Sequence, residues 1–249
     1  MTVEDYPPEH LIKMIGGHKK EAYKWIADHF FELFLKYGGL EPTDRVQDVG
    51  CGCGRMAFPL TRYLTTGSYE GFDIVGEMID WCRENISSRF PNFQFQHVDV
   101  FNGEYNKSGT VNAVDFRFPY SDASFDFTFL TSIFTHLLEA DVAHYCREIA
   151  RTLKPSGTAV LTFYILNDEA ERLMTTPECK VLFPYAWGNG GIKVSDQTRP
   201  EALVAYPEAT LRQLLPANGL QIEGPIHFGS WCGRPELVTY QDLIVVKRK

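Results

Sequence analysis

The sequence predicts an α/β fold: an open, mostly parallel β-sheet with helices on both faces. Three observations lead there. Strand-like and helix-like segments alternate from residue 45 to residue 165, a pattern that needs crossover connections and therefore parallel neighbours. One strand-like run, Arg45–Val49, passes directly into glycines at positions 50, 52 and 54, as a strand does when it turns into a helix at the edge of a ligand site. Four aspartates at or near strand ends, Asp48, Asp73, Asp99 and Asp126, lie 25, 26 and 27 residues apart, close to the length of one βα unit.

The elements follow in order. Residues 19–37 carry apolar side chains at Tyr23, Ile26, Ala27, Phe30, Phe31, Phe34 and Leu35, the spacing of an amphipathic helix, which Gly38 and Gly39 stop. Arg45–Val49 is a strand, and a helix is expected over 56–64. A strand over 68–72, a helix over 75–90 and a strand over 93–98 come next. The aromatic run 125–131 reads as a strand, 141–153 as an amphipathic helix ending near Pro155 and Gly157, and 158–165 as a β-branched and aromatic strand. Beyond Leu166 the rhythm loosens. A short helix is expected over 168–174, and 175–206, rich in Pro, Gly and aromatic residues, reads as a long irregular insertion, of the kind that carries function. A helix over 207–218, opened by Pro207 and closed by Asn218-Gly219, precedes strands over 220–228 and 241–247.

Composition narrows the function. The chain has 249 residues, and 24 basic residues face 32 acidic ones for a net charge of -8. A chain of this length buries roughly 70–75% of its unfolded surface, enough for one domain with insertions. Nucleic acid and anionic membrane partners need clustered Lys and Arg; the one basic run is Lys247–Lys249. The longest uncharged apolar stretch, 159–166, falls well short of the ~20 residues of a membrane span. The opening residues lack a secretory pattern, so a cytoplasmic protein is expected. Six cysteines, at positions 51, 53, 82, 146, 179 and 232, form neither a disulfide framework nor a zinc-ligand spacing, and no metal is expected.

The segment Val46-Gln-Asp-Val-Gly-Cys-Gly-Cys-Gly54 is the most informative. Its glycines let backbone approach a ligand closely, and the helix behind offers its N-terminal amides. Arg55 stands where a dinucleotide fingerprint would carry its last glycine. D-x-G-x-G-x-G after a strand resembles the first motif of the class I S-adenosylmethionine-dependent methyltransferases. Four more stretches continue the resemblance in order: Tyr69-Glu-Gly-Phe-Asp-Ile74, Phe95-Gln-His-Val-Asp-Val100, Phe118-Pro-Tyr-Ser-Asp-Ala-Ser-Phe-Asp126 and Glu148-Ile-Ala-Arg-Thr-Leu-Lys-Pro-Ser-Gly157. The resemblance implies S-adenosyl-L-methionine as cofactor and a Rossmann-like sheet of seven strands. It also implies an antiparallel last strand, an N-terminal helical cap over 1–40 around Gly16, Gly17 and Trp25, and a methyltransferase domain over 41–249 with a lid at 175–206. It places Asp73 on the ribose hydroxyls and Asp99 on the adenine amino group, with Asp48, Gly50, Cys51, Gly52, Gly54, Ile74, Val100 and Thr131 completing the cofactor site.

For the acceptor, the sequence after the 125–131 strand is Thr131-Ser-Ile-Phe-Thr-His-Leu137. It lacks the D/N/S-P-P-Y/F motif of nucleic-acid amino methylation and resembles small-molecule methyltransferases. His136 is the catalytic base candidate, because imidazole takes protons near neutral pH; a His that merely packs the following helix is the alternative. Tyr105, Tyr185, Trp187, Tyr206 and Trp231 are candidate acceptor-pocket residues, with packing of a small core within the 175–206 loop the equal alternative for the aromatics it carries; His227 is a further polar candidate. The expected function is O-methylation of a small-molecule hydroxyl, on a sugar or natural-product intermediate. The alternatives are an NAD(P)-dependent oxidoreductase, an aminopropyl-type transferase, or a non-catalytic cofactor-binding subunit on the same sheet; Arg55 and the lack of a Tyr-x-x-x-Lys pair argue against the first.

Overall fold

A computed structural model describes residues 6–16, 19–235 and 238–249; Gly17 lies outside them. Two N-terminal helices, α1 (Glu9–Met14) and α2 (Lys20–Leu33), precede β1 (Arg45–Val49), α3 (Ala57–Tyr63), β2 (Ser68–Asp73), α4 (Gly76–Cys82) and β3 (Phe93–His97). Then come β4 (Phe125–Leu130), α5 (Glu139–Thr152), β5 (Leu153–Phe163), β6 (Ile165–Leu166) and α6 (Asp168–Leu173). The chain ends with β7 (Tyr185–Trp187), β8 (Ile192–Val194), β9 (Val204–Pro207), α7 (Glu208–Ala217), β10 (Leu220–Ile222) and β11 (Asp242–Arg248).

Seven strands form the main sheet in the order β10-β11-β5-β4-β1-β2-β3. β1 to β5 are mutually parallel, and β11 runs antiparallel to both β5 and β10. The chain leaves β1 toward β2 and β3 on one side and returns to β4 and β5 on the other. The crevice at the carboxyl ends of β1 and β4 is therefore the topological switch point where open α/β sheets bind ligands. One face packs against α2, α3 and α4 through Phe30, Leu60 and Ile79; the other packs against α5 and α7 through Ile149 and Leu215. Residues two apart normally share a face of a strand, yet Phe125 and Phe127 belong to opposite cores. The register of β4 against β5 shifts between those two residues, and that irregularity turns the strand over.

Three differences from the sequence expectations have local causes. The strand expected over 220–228 is only Leu220–Ile222, because Gly224 adopts φ 67 and Pro225 has no N–H to give a ladder; the chain rejoins the sheet through a bridge between His227 and Leu243. The helix expected over 75–90 widens its turn after Cys82. The insertion 175–206 is not irregular throughout: β7 and β8 form a hairpin, and with β9 and β6 they make a second, four-stranded sheet. Its signal was the Gly188-Asn-Gly-Gly191 turn between two short β-forming runs, with φ 62 and φ 74 at Gly188 and Gly191, values glycine adopts freely. Beside it, Trp231, Tyr164 and Phe183 form a third core.

Candidate functional site

A cavity of about 690 Å³ opens at the switch point. Its floor is the turn from β1 into α3. Gly50 and Gly52 sit at φ 76 and φ 53, and a Cβ on Gly50 would lie 2.1 Å from Ile133 Cδ1, so glycine there is required by conformation and by space. Asp48, Gly50, Cys51 and Gly52 line the cavity, as do Asp73, Ile74, Val100, Thr131 and His136. Two of the residues expected there do not. Gly54 lies behind the loop, where a Cβ would meet Ile86 at 2.7 Å. Asp99 points to solvent and accepts hydrogen bonds from the hydroxyl and N–H of Thr110 at 2.5 and 3.3 Å; it lies two residues beyond β3 between the buried Val98 and Val100, so its side chain faces away from them, and Val100, Phe101 and Asn102 form the wall instead.

The buried charges at this end are arranged around the glycine loop. Asp73 is 9% exposed; its Oδ2 accepts the Gly52 N–H at 2.8 Å and its Oδ1 the Val75 N–H at 2.9 Å. The backbone N–H of Ile74 also bonds this carboxylate, and burial raises the pKa of the carboxyl. Asp48 is 1% exposed. Its Oδ2 accepts the Tyr69 hydroxyl at 2.5 Å, and desolvation pushes its pKa up to about 8. Its Oδ1 has no partner, and neither has the Nε of Arg55 on the other side of the loop, among the described residues. Sequence reading treated Arg55 only as a departure from a glycine motif; its burial depends on the N-terminal cap, where Ile15 O accepts its Nη1 at 3.5 Å.

The opposite half of the cavity is built by distant segments. Trp25, His29 and Phe30 of α2 line it; Trp25 stacks on His29 at 5.0 Å, whose Nε2 donates to Val238 O at 2.7 Å. Tyr105, Tyr164, Tyr240 and Gln241 complete the wall. The other aromatic candidates lie elsewhere: Trp231 and Tyr206 are fully buried, Tyr206 donating to Leu137 O at 2.6 Å, while Tyr185 and Trp187 sit in the lid hairpin. His227 packs on Tyr37. Trp231 and Tyr206 fill cores, whereas Tyr185 is exposed on the hairpin, a distinction that spacing alone does not reveal.

His136 follows β4 in a single helical turn, Phe134–His136. Its Nδ1 lies 3.1 Å from Glu201 O. A carbonyl only accepts, so Nδ1 carries the proton and the lone pair is on Nε2. Nε2 lies 3.5 Å from the Tyr105 hydroxyl. Burial lowers the imidazole pKa, which keeps the ring neutral. Glu201 belongs to the lid, and its carboxylate accepts the Gly103 N–H at 2.8 Å; Arg199 pairs with Glu104 beside it. The backbone of the 175–206 insertion thus sets the tautomer of His136. All six cysteines are free, and among the described residues no group of three or more His, Cys, Asp or Glu is placed to hold a metal. No described helix is long and apolar enough to cross a membrane.

Residues 47–161 match the family model described as a methyltransferase domain. The 2-phytyl-1,4-naphtoquinone methyltransferase of Nostoc sp. (strain PCC 7120) is 25% identical over 143 residues, 57% of this chain and 56% of that protein. The tRNA N(3)-cytidine methyltransferase METTL2 of Gallus gallus is 27% identical over 167 residues, 64% of this chain and 40% of that one. The chain spans about half the length of the curated relatives it matches. In fold it is similar to a SAM-dependent methyltransferase structure from Methanosarcina mazei, with TM-score 0.57, 19% identity and coverage of 86% of this chain and 96% of that one.

Proposed function

We propose, from the premise that this chain belongs to the class I S-adenosylmethionine-dependent methyltransferases, that it methylates a hydroxyl of a small, uncharged acceptor with His136 as general base. The residues of the cavity fit the cofactor. Its amino-acid end is a zwitterion, and the two orphaned buried atoms beside the glycine loop, Arg55 Nε and Asp48 Oδ1, are a donor and an acceptor suited to its carboxylate and ammonium. A buried polar group without a partner is costly, and a zwitterion supplies both missing partners. Asp73 suits a ribose hydroxyl as a buried carboxylate acceptor lining the cavity. Val100, Phe101 and Asn102 then meet the base, and Asp99 shapes that wall through Thr110. When bound, the cofactor supplies an electrophilic methyl group.

The chain's own part is to hold the acceptor in line and take its proton. Orientation in a closed cavity supplies much of such an acceleration. His136 supplies the proton acceptor: with Nδ1–H committed to Glu201 O the lone pair is on Nε2, 3.5 Å from the Tyr105 hydroxyl that lines the same cavity, and this is the observation that carries the reading. The lowered pKa has a definite sign. Only neutral imidazole accepts a proton, so the acid limb of the kcat/KM profile falls below the ordinary histidine value of about 6.5. A polyanionic acceptor is disfavoured by the net charge of -8.

His136→Ala is expected to lower kcat by roughly 10²–10⁴-fold and to remove the acid limb, with S-adenosylhomocysteine affinity unchanged by calorimetry. Full turnover by this variant would reject the base assignment. Tight NADH binding without S-adenosylhomocysteine binding would replace the whole reading with an oxidoreductase.

A further inference from the structure

The half of the cavity beyond His136 holds polar groups that proton removal does not use. Ser132 has φ 64, a conformation that non-glycine residues seldom adopt and that accumulates at functional sites. It is held there because its N–H donates to Thr162 Oγ1 at 2.8 Å, and Thr162 in turn lies on β5, 3.4 Å from Leu130 O. Ser132 Oγ then donates to Gln241 Oε1 at 3.1 Å. Gln241 is itself fixed: it is 9% exposed and immediately precedes Asp242. The buried carboxylate of Asp242 accepts the N–H groups of Ile165 at 2.6 Å, Gly229 at 2.7 Å and the Trp231 indole at 2.7 Å. With its carbonyl oxygen occupied by Ser132, the Gln241 amide has its NH₂ left for the cavity and for Tyr164, a neighbouring lining residue.

Charge and shape narrow the acceptor further. Among the described lining residues, the carboxylates and the guanidinium are Asp48, Asp73 and Arg55, all at the glycine-loop end. Away from that end the basic lining groups among the described residues are two imidazoles, His136, held neutral by burial, and His29, whose Nε2 donates to Val238 O, so an anionic acceptor would meet no fixed cation there and a cationic one no carboxylate. The walls are the rings of Trp25, Tyr105, Tyr164 and Tyr240, suited to the faces of a flat apolar ring. We propose that Gln241, aimed by Ser132, determines acceptor specificity, and that the acceptor is an uncharged planar aromatic compound bearing a carbonyl as well as the hydroxyl. The carbonyl oxygen takes an N–H of Gln241, and the hydroxyl lies at His136. This assignment rests on the methyl-transfer reading and names its substrate class.

The test measures equilibrium binding to the full chain in the presence of S-adenosylhomocysteine, by quenching of tryptophan fluorescence. The probes are 6-acetyl-2-naphthol, its carbonyl-free analogue 6-ethyl-2-naphthol, and anionic 6-hydroxy-2-naphthoate. The wild type is expected to bind the acetyl compound about fivefold more tightly than the ethyl compound, the worth of one neutral hydrogen bond, and the naphthoate most weakly. Gln241→Leu should abolish that ratio while leaving the ethyl affinity within about twofold. Ser132→Gly, which adopts the same backbone without strain but lacks the hydroxyl, should lower the ratio in the same direction, and it serves if Gln241→Leu does not fold. Equal binding of the two naphthols by the wild type, binding of neither, preference for the naphthoate, or a ratio unchanged in the variants would overturn the assignment. Failure of S-adenosylhomocysteine to bind the wild type by calorimetry would instead overturn the methyl-transfer reading beneath it.

Discussion

The carboxyl of Asp48 is fully buried against Tyr69, and its pKa is pushed up to about 8, so at neutral pH it holds a proton. Unfolded, it would ionise near 3.9. The folded state thus binds the proton more tightly, and the stability this contributes is present below about pH 4 and lost as pH rises toward 8. Asp48→Asn removes that loss. It is expected to be more stable than the wild type by about 1–3 kcal/mol at pH 8 without ligand, read by urea denaturation, and to bind S-adenosylhomocysteine roughly tenfold more weakly. In the wild type at pH 7, an incoming ammonium draws the proton off Asp48, so calorimetry in buffers of different ionisation enthalpy should detect proton release. Identical pH slopes in the two proteins would clear Asp48 of this role. The position of Asp48 two residues before Gly50 could be read from sequence. Its burial could not, because Tyr69 arrives on a different strand.

The lid shows the same division at the level of elements. Its length and composition marked 175–206 as an insertion, and the Gly188–Gly191 turn carried an unread hairpin signal. Its contacts to the cavity rim include Glu201 O with His136, the Glu201 carboxylate with Gly103 and Asn102, Arg199 with Glu104, and the Tyr206 hydroxyl with Leu137 O. The Arg199–Glu104 pair is largely exposed on the arginine side and contributes little. The bond from the Gly103 N–H is charge-assisted and half-buried, and it matters more. Glu201→Ala should loosen the lid, speeding limited proteolysis between residues 188 and 199 and lowering kcat several-fold by about 1 kcal/mol of lost positioning, with S-adenosylhomocysteine affinity retained. Unchanged proteolysis and kcat would show that the lid is held by its own core alone. Trp231 and Tyr206, which the sequence allows equally as acceptor wall or as packed core, belong to the interior. An aromatic residue in an insertion reads alike in sequence whether it faces a ligand or a core.

For the molecule as a whole, net charge and sheet topology set which acceptors can approach. With a net charge of -8 and, among the described residues, Arg55 as the guanidinium of the cavity lining, acceptor binding should depend little on salt. An enzyme that neutralises phosphates loses affinity with a log–log slope of about -0.9 per phosphate on duplex DNA. Here KM for the acceptor is expected to change by less than about twofold between 50 and 200 mM KCl, and added tRNA should not inhibit; a steep slope would return a nucleic-acid acceptor to consideration. The sequence by itself determined the alternating sheet, the glycine loop and Asp73, because each is local: a strand, its turn and the next strand end are specified by neighbouring residues and by the period of the chain. Only the tertiary structure decided the half of the cavity proposed for the acceptor. Ser132 and Gln241 stand 109 residues apart, and Trp25, Tyr105 and Tyr164 come from three further segments. They converge because β4, β5 and β11 are adjacent in the sheet while α2 and the lid close over their ends, and adjacency of that kind is a property of packing that no local pattern encodes.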